Sequence, residues 1–95
     1  MPEMLFTVRW PDKSVSECYS PSLIIKGYME VGCSYPLAEF VDRSRTALNI
    51  ASERVRAKYG YGCSSAMDQL QEIERTASRF AGIVDASVAI EGFKP

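Results

Sequence analysis

The stretch PLAEFVDRSRTALNIASERVRAKYG, residues 36–60, decides how the chain is read. Leu37, Phe40, Val41, Ser44, Leu48, Ala51, Val55 and Tyr59 recur at helical spacing over about six turns, so the longest element is an amphipathic helix. Ser34 or Tyr35 is expected to cap it, Pro36 is tolerated in its first turn, and Gly60 stands where a left-handed residue ends a helix. Glu39 and Arg43, four apart, form a surface pair. The segment GYGCSSAMDQL (60–70) then turns quickly into a second helix, about Ser64 to Phe80. Cys63, Ala66, Met67, Leu70, Ile73, Ala77 and Phe80 fall on one stripe of that helix, which can pack against the first.

Outward from this helical hairpin the period changes to two. In MLFTVRW (4–10), Met4, Phe6, Val8 and Trp10 share one face and Thr7 and Arg9 the other, as a half-buried strand requires. Pro11, Asp12 and Lys13 supply a turn, and residues 14–20 return as a second strand with Val15 and Tyr19 as its larger inward candidates. Residues 20–35 lack a clean period, and Ser20-Pro21 opens one or two helical turns around Leu23 to Met29 that Gly32 ends. In IVDASVAIEG (83–92), Val84, Ala86, Val88 and Ile90 alternate with Asp85, Ser87, Ala89 and Glu91, which predicts the third strand. The expected fold is α+β in one domain, residues 1–95. It has two layers: a three-stranded sheet, made of the N-terminal hairpin and the C-terminal strand, covered on one face by the helical hairpin. Thr7, Arg9, Ser16, Asp85 and Ser87 are assigned to a solvated opposite face.

Composition narrows the function classes. With 95 residues, 46% hydrophobic and 24% charged, the chain suits one globular domain, and its formal net charge of −1 argues against a general hold on nucleic-acid phosphates. MPEMLFTV has neither the basic nor the long apolar region of a signal peptide, and no run is long enough for a membrane helix, so a cytoplasmic protein is expected. Three cysteines, Cys18, Cys33 and Cys63, are too scattered for a zinc site and fit reduced thiols. The chain has no histidine, which removes Ser-His and Cys-His catalysis and the commonest general base. No cofactor and no metal are expected.

Several residues still invite a chemical reading. GYG (60–62) hints at a dinucleotide loop, but Ser65 stands where the third glycine belongs and a helix precedes it where a strand should. Cys63 at a helix start is a candidate reactive thiol, yet it shares the apolar stripe and lacks an activating base, so packing is preferred. Ser65 and Asp68 have capping-box spacing. Arg54, Arg56 and Lys58 end one helix while Ser64 and Ser65 begin the next, so this corner is a candidate anion site; basic side chains at a helix C-terminus also complement the dipole with no ligand. Pro2, freed of Met1, would offer the amine that small tautomerases use as a base, but those proteins follow the first strand with a helix and this chain with a hairpin. Tyr19, Tyr28, Tyr35, Tyr59, Tyr61 and Trp10 suit interfaces as well as core edges. Ile50, off the main stripe, and the sheet's edges suggest a homodimer.

RWPDKS (9–14), CYSPSL (18–23) and VGCSYPLAEFVDRSRTALNIASERVRAKYGYGCSSAMDQL (31–70) resemble the small bacterial nitrogen-starvation-response proteins, over about residues 2–74. Lys13 departs from that pattern, standing where glycine would more readily adopt positive φ. The resemblance implies a setting: genes beside a nitrilase, a radical-SAM-like protein, an acetyltransferase-like protein and a flavin-dependent oxidoreductase, a cluster connected with nitriles as a nitrogen source. It carries no catalytic residue. The expectation is therefore a non-catalytic accessory protein that binds a cluster-encoded enzyme or its own copy, without nucleic acid or membrane; the alternative is a small anion- or metabolite-binding protein or minor enzyme using the helical corner.

Overall fold

Hydrogen bonds in the first turn set the register of everything that follows. Asp12 Oδ1 accepts from the Ser14 backbone N–H at 2.9 Å and from its hydroxyl, which holds the Asp12 carboxyl below its ordinary range, and Lys13 takes φ 75°. The computed structural model describes residues 3–62 and 64–94. In chain order it has β1 (Met4–Arg9), β2 (Val15–Ser20), a 3-10 helix (Leu23–Gly27), β3 (Ser34–Pro36), α1 (Leu37–Tyr59), α2 (Ser64–Ser78) and β4 (Ser87–Lys94).

Because cross-strand partners share a face, inward Met4, Phe6 and Val8 bring Ser20, Cys18 and Ser16 inward with them. The expected inward pair of β2 is thus corrected: Val15 is 50% exposed and Tyr19 lies on the outer face, while Ser16, assigned outward, receives the Trp10 Nε1–H at 2.9 Å. Small inward residues on β2 leave room for α2, whose Gln69 Oε1 accepts the Tyr19 N–H at 3.0 Å and covers part of the open strand edge.

The sheet has four antiparallel strands in the order β2-β1-β4-β3, not three. The missed strand is short and ends in proline, so it has no period of its own; pairing with β4 defines it, Tyr35 opposite Val88. Cys33 C=O accepts from the Ile90 N–H and Gly32 N–H donates to the Ile90 C=O, each at 2.9 Å. The chain therefore enters α1 from the sheet, and neither Ser34 nor Tyr35 caps it: Pro36 is the cap residue without a side-chain bond, and the Leu37 N–H donates to Ala86 C=O at 3.0 Å. The loop before it holds only the five-residue 3-10 helix, capped by Ser22, and ends before Met29.

β4 starts four residues later than its alternation suggested, because Asp85 turns at φ 57° and leaves Val84 86% exposed. Its pairing with β1 slips between Thr7 and Val8, which face Gly92 and Ile90 and leave Glu91 in a bulge. The extra residue lets Val88, Ile90 and Phe93 all serve the inner face.

Both helices cover that inner face. Trp10 is the hub: it meets Phe40 edge-on at 5.5 Å and stacks on Phe80 at 6.0 Å. Phe6, Ile25, Leu48, Ile73, Val88 and Ile90 are buried around it, each stabilising the fold by about 1.5–3 kcal/mol. Gly60 ends α1 as its position suggested, at φ 84° with its N–H on Arg56 C=O at 2.8 Å, and Arg43 Nε meets Glu39 at 3.0 Å.

Candidate functional site

The buried face of α1 stops at Ser52, so the turns from Glu53 to Tyr59 run on beyond the core. They form, with the loop to α2, a projecting end on a molecule 42 Å long and 22 Å by 17 Å across. Helical geometry advances about 100° per residue, which turns Arg56 away from Arg54 and Lys58, the three basic residues that sequence placed together. Arg54 lies with Asn49, Ile50, Glu53 and Ala57 along a shallow depression of about 360 Å³. Ile50, the residue behind the expected homodimer, is half-buried in this depression. Arg56 instead lines a groove of about 480 Å³ with Asn49, Ser52, Glu53, Gly62, Ser64, Met67 and Asp68. Lys58 lines neither; its Nζ sits 5.5 Å from the Tyr59 ring centroid.

Of the corner proposed from sequence, then, the structure brings together Arg56 and Ser64, while Arg54, Lys58 and the exposed Ser65 stand apart. Arg56 Nε is 3.3 Å from Glu53 Oε1, and Asp68 adds a second carboxylate to the groove. Gly62 is closely approached there: a methyl at that position would lie 3.0 Å from Ser52 Oγ and 3.1 Å from Arg56 Nη2, so those side chains would have to give by a few tenths of an ångström. Cys63, the candidate thiol, lies outside the described residues, as do Met1 and Pro2.

Arg54 and Lys58 have no carboxylate partner among the described residues. Tyr59, next to Lys58, and Tyr61 are 51% and 67% exposed, their ring centroids 6.4 Å apart. Two exposed aromatic rings, with Lys58 beside one of them and Arg54 a helical turn back, make a surface suited to an acidic partner with an apolar centre. Sequence reasoning saw both tyrosines but not their pairing, for which the exposed Gly60 turn between them was the available signal.

Both described thiols lie near carboxylates: Cys33 Sγ donates to Glu30 Oε2 at 3.6 Å, and Cys18 lies at a groove of about 240 Å³ lined also by Glu17, Gln69, Glu72 and Thr76, where its own pKa is perturbed. Burial first, then the charges of Glu17 and Glu72, push its pKa up to about 12, which keeps it protonated at neutral pH. Among the described residues no three Cys, Asp or Glu side chains gather to hold a metal ion, and no helix is long and apolar enough to cross a membrane.

A family model described as nitrogen starvation-induced protein NitG matches residues 5–93. The chain belongs to the NitG family. The NitG match reaches past residue 74, where the sequence resemblance ended, and takes in β4, the strand that joins β1 to β3. No curated protein and no solved structure matches the chain.

Proposed function

We propose that this member of the NitG family serves the nitrogen-starvation response as a binding module, presenting the projecting end of its helical hairpin to an acidic surface of a partner protein. The partner class is an enzyme of the nitrile-utilising gene set. One observation carries the reading: Lys58 stands 5.5 Å from the ring of Tyr59, which pairs with Tyr61 at the exposed end of α1, and Arg54, one helical turn back, like Lys58 has no carboxylate partner among the described residues. Tyrosine and arginine are enriched where binding energy concentrates, and charge at the rim steers encounter. The neighbouring groove supports metabolite binding less well, because Arg56 already faces Glu53 and Asp68 adds another negative charge.

The test uses purified protein against each enzyme of that gene set in a quantitative binding assay. Binding to one of them is expected, weakened at least tenfold by Arg54→Glu with Lys58→Glu and by raised salt. Turnover of a nitrile-derived compound by the protein alone, or binding indifferent to the double reversal, counts against the proposal.

A further inference from the structure

At the opposite end of the molecule, two apolar residues face water with no account in the fold. Ile83 is 50% and Val84 86% exposed, in the loop between α2 and β4. A single exposed apolar side chain is ordinary, but here the two help to line a cavity of about 290 Å³ on the outer side of the sheet. Its walls include Trp10, Pro11 and Ala89, with Lys13 and Asp85 as exposed charges. A protruding apolar knob thus stands next to a recess wide enough to receive one.

The charges follow the same pattern. Neither Lys13 nor Asp85 makes an ion pair or side-chain hydrogen bond with another described residue, and they do not reach each other. Both hold positive φ, 75° and 57°, a conformation that a non-glycine residue adopts only under strain. By contrast, Arg9 at the same cavity is committed to Glu91 at 2.9 Å and to the Lys13 carbonyl at 3.1 Å. One free cation and one free anion beside an apolar knob and a recess form a surface complementary to itself under a two-fold axis.

We propose that this surface binds a second copy of the chain, with Val84 of each protomer entering the recess of the other and Lys13 of each pairing with Asp85 of its partner. The outward side chains of β3 and β4 next to the cavity are small, Ser34, Ser87 and Ala89, so a second sheet can approach closely. Such contact extends the patch toward the roughly 800 Å² per partner that a stable interface takes. The two projecting hairpin ends stay free in this dimer.

Reversing charges tests the arrangement. Lys13→Asp places two anions opposite each other twice, and Asp85→Lys two cations twice, so each variant alone dimerises at least roughly tenfold more weakly than the wild type. Mixed together, the two variants meet as opposite charges in both contacts and form a heterodimer, which sedimentation velocity and native mass spectrometry read directly. This rescue also shows that both variants are folded. Val84→Asp is expected to give a monomer under the same conditions. A wild type that stays monomeric at millimolar concentration overturns the proposal, as do single reversals that dimerise like the wild type or a mixture that yields no heterodimer.

Discussion

Two buried serines on the inner side of the fold carry opposite expectations. Ser44 lies in the middle of α1 at 0% exposure, one helical turn from Phe40 and Leu48, and its hydroxyl has no hydrogen-bond partner. Ser20, also 0% exposed, donates from its hydroxyl to Ser22 C=O at 2.8 Å and accepts the Ser22 N–H at 3.3 Å. An unsatisfied buried hydroxyl costs about 1–3 kcal/mol, whereas a satisfied one contributes about 1 kcal/mol. Alanine is nearly isosteric and the better helix former by about 0.5 kcal/mol. Ser44→Ala is therefore expected to stabilise the protein by about 1–2 kcal/mol, a rise of roughly 4–8 °C in Tm for each kcal/mol in a domain of this size. Ser20→Ala is expected to destabilise it by about 1 kcal/mol, because the Ser22 N–H and C=O both lose their partner. Urea titrations of the two variants measure the difference, with m unchanged if only stability moves. If Ser44→Ala unfolds at the same or a lower urea concentration than the wild type, its hydroxyl is satisfied and the reasoning fails.

Gly60→Ala should cost about 1–2 kcal/mol in the same titration, since φ 84° at the end of α1 suits only glycine without strain; a neutral result would mean the turn relaxes freely. Cys18 gives an alkaline dependence: its folded pKa of about 12 stands above the ordinary value of 9.0, so its contribution is intact below pH 9 and is lost as pH rises toward 12, where the unfolded chain releases the proton first. Stability should accordingly fall more steeply over that window in the wild type than in Cys18→Ala, and parallel slopes would refute it. Arg43 donates to Tyr28 C=O at 2.8 Å and lies 4.5 Å over the Tyr35 ring, tying the loop before β3 to α1. Arg43→Ala should lower stability by about 1 kcal/mol and speed amide exchange at Gly32 and Ile90, the N–H groups that hold β3 in place.

The helical hairpin and the alternation of β1 were legible because each is a local, repeated pattern of apolar residues. β3 was not, since three residues ending in Pro36 become a strand only through Ala89, Val88 and Ser87, more than fifty positions away. The faces of β2 were misjudged by size: Val15 and Tyr19 are larger than Cys18 and Ser20, but turn length and register, not bulk, decide which side faces in. At the candidate site the separation of Arg54 and Lys58 from Arg56 was readable from helical spacing alone. The isolation of their charges was not, because it depends on where distant carboxylates fall. Ile83 and Val84 looked like the start of a strand, and only the positive φ of Asp85 shows that they belong to a turn.

Photocrosslinking from position 61 in nitrogen-starved cells tests the docking role of the hairpin end most directly. The expected result is one discrete adduct with an enzyme of the nitrile-utilising gene set, lost when Arg54→Glu and Lys58→Glu are introduced together while the protein stays folded. No adduct at that position, or one that survives the double reversal undiminished, would contradict it.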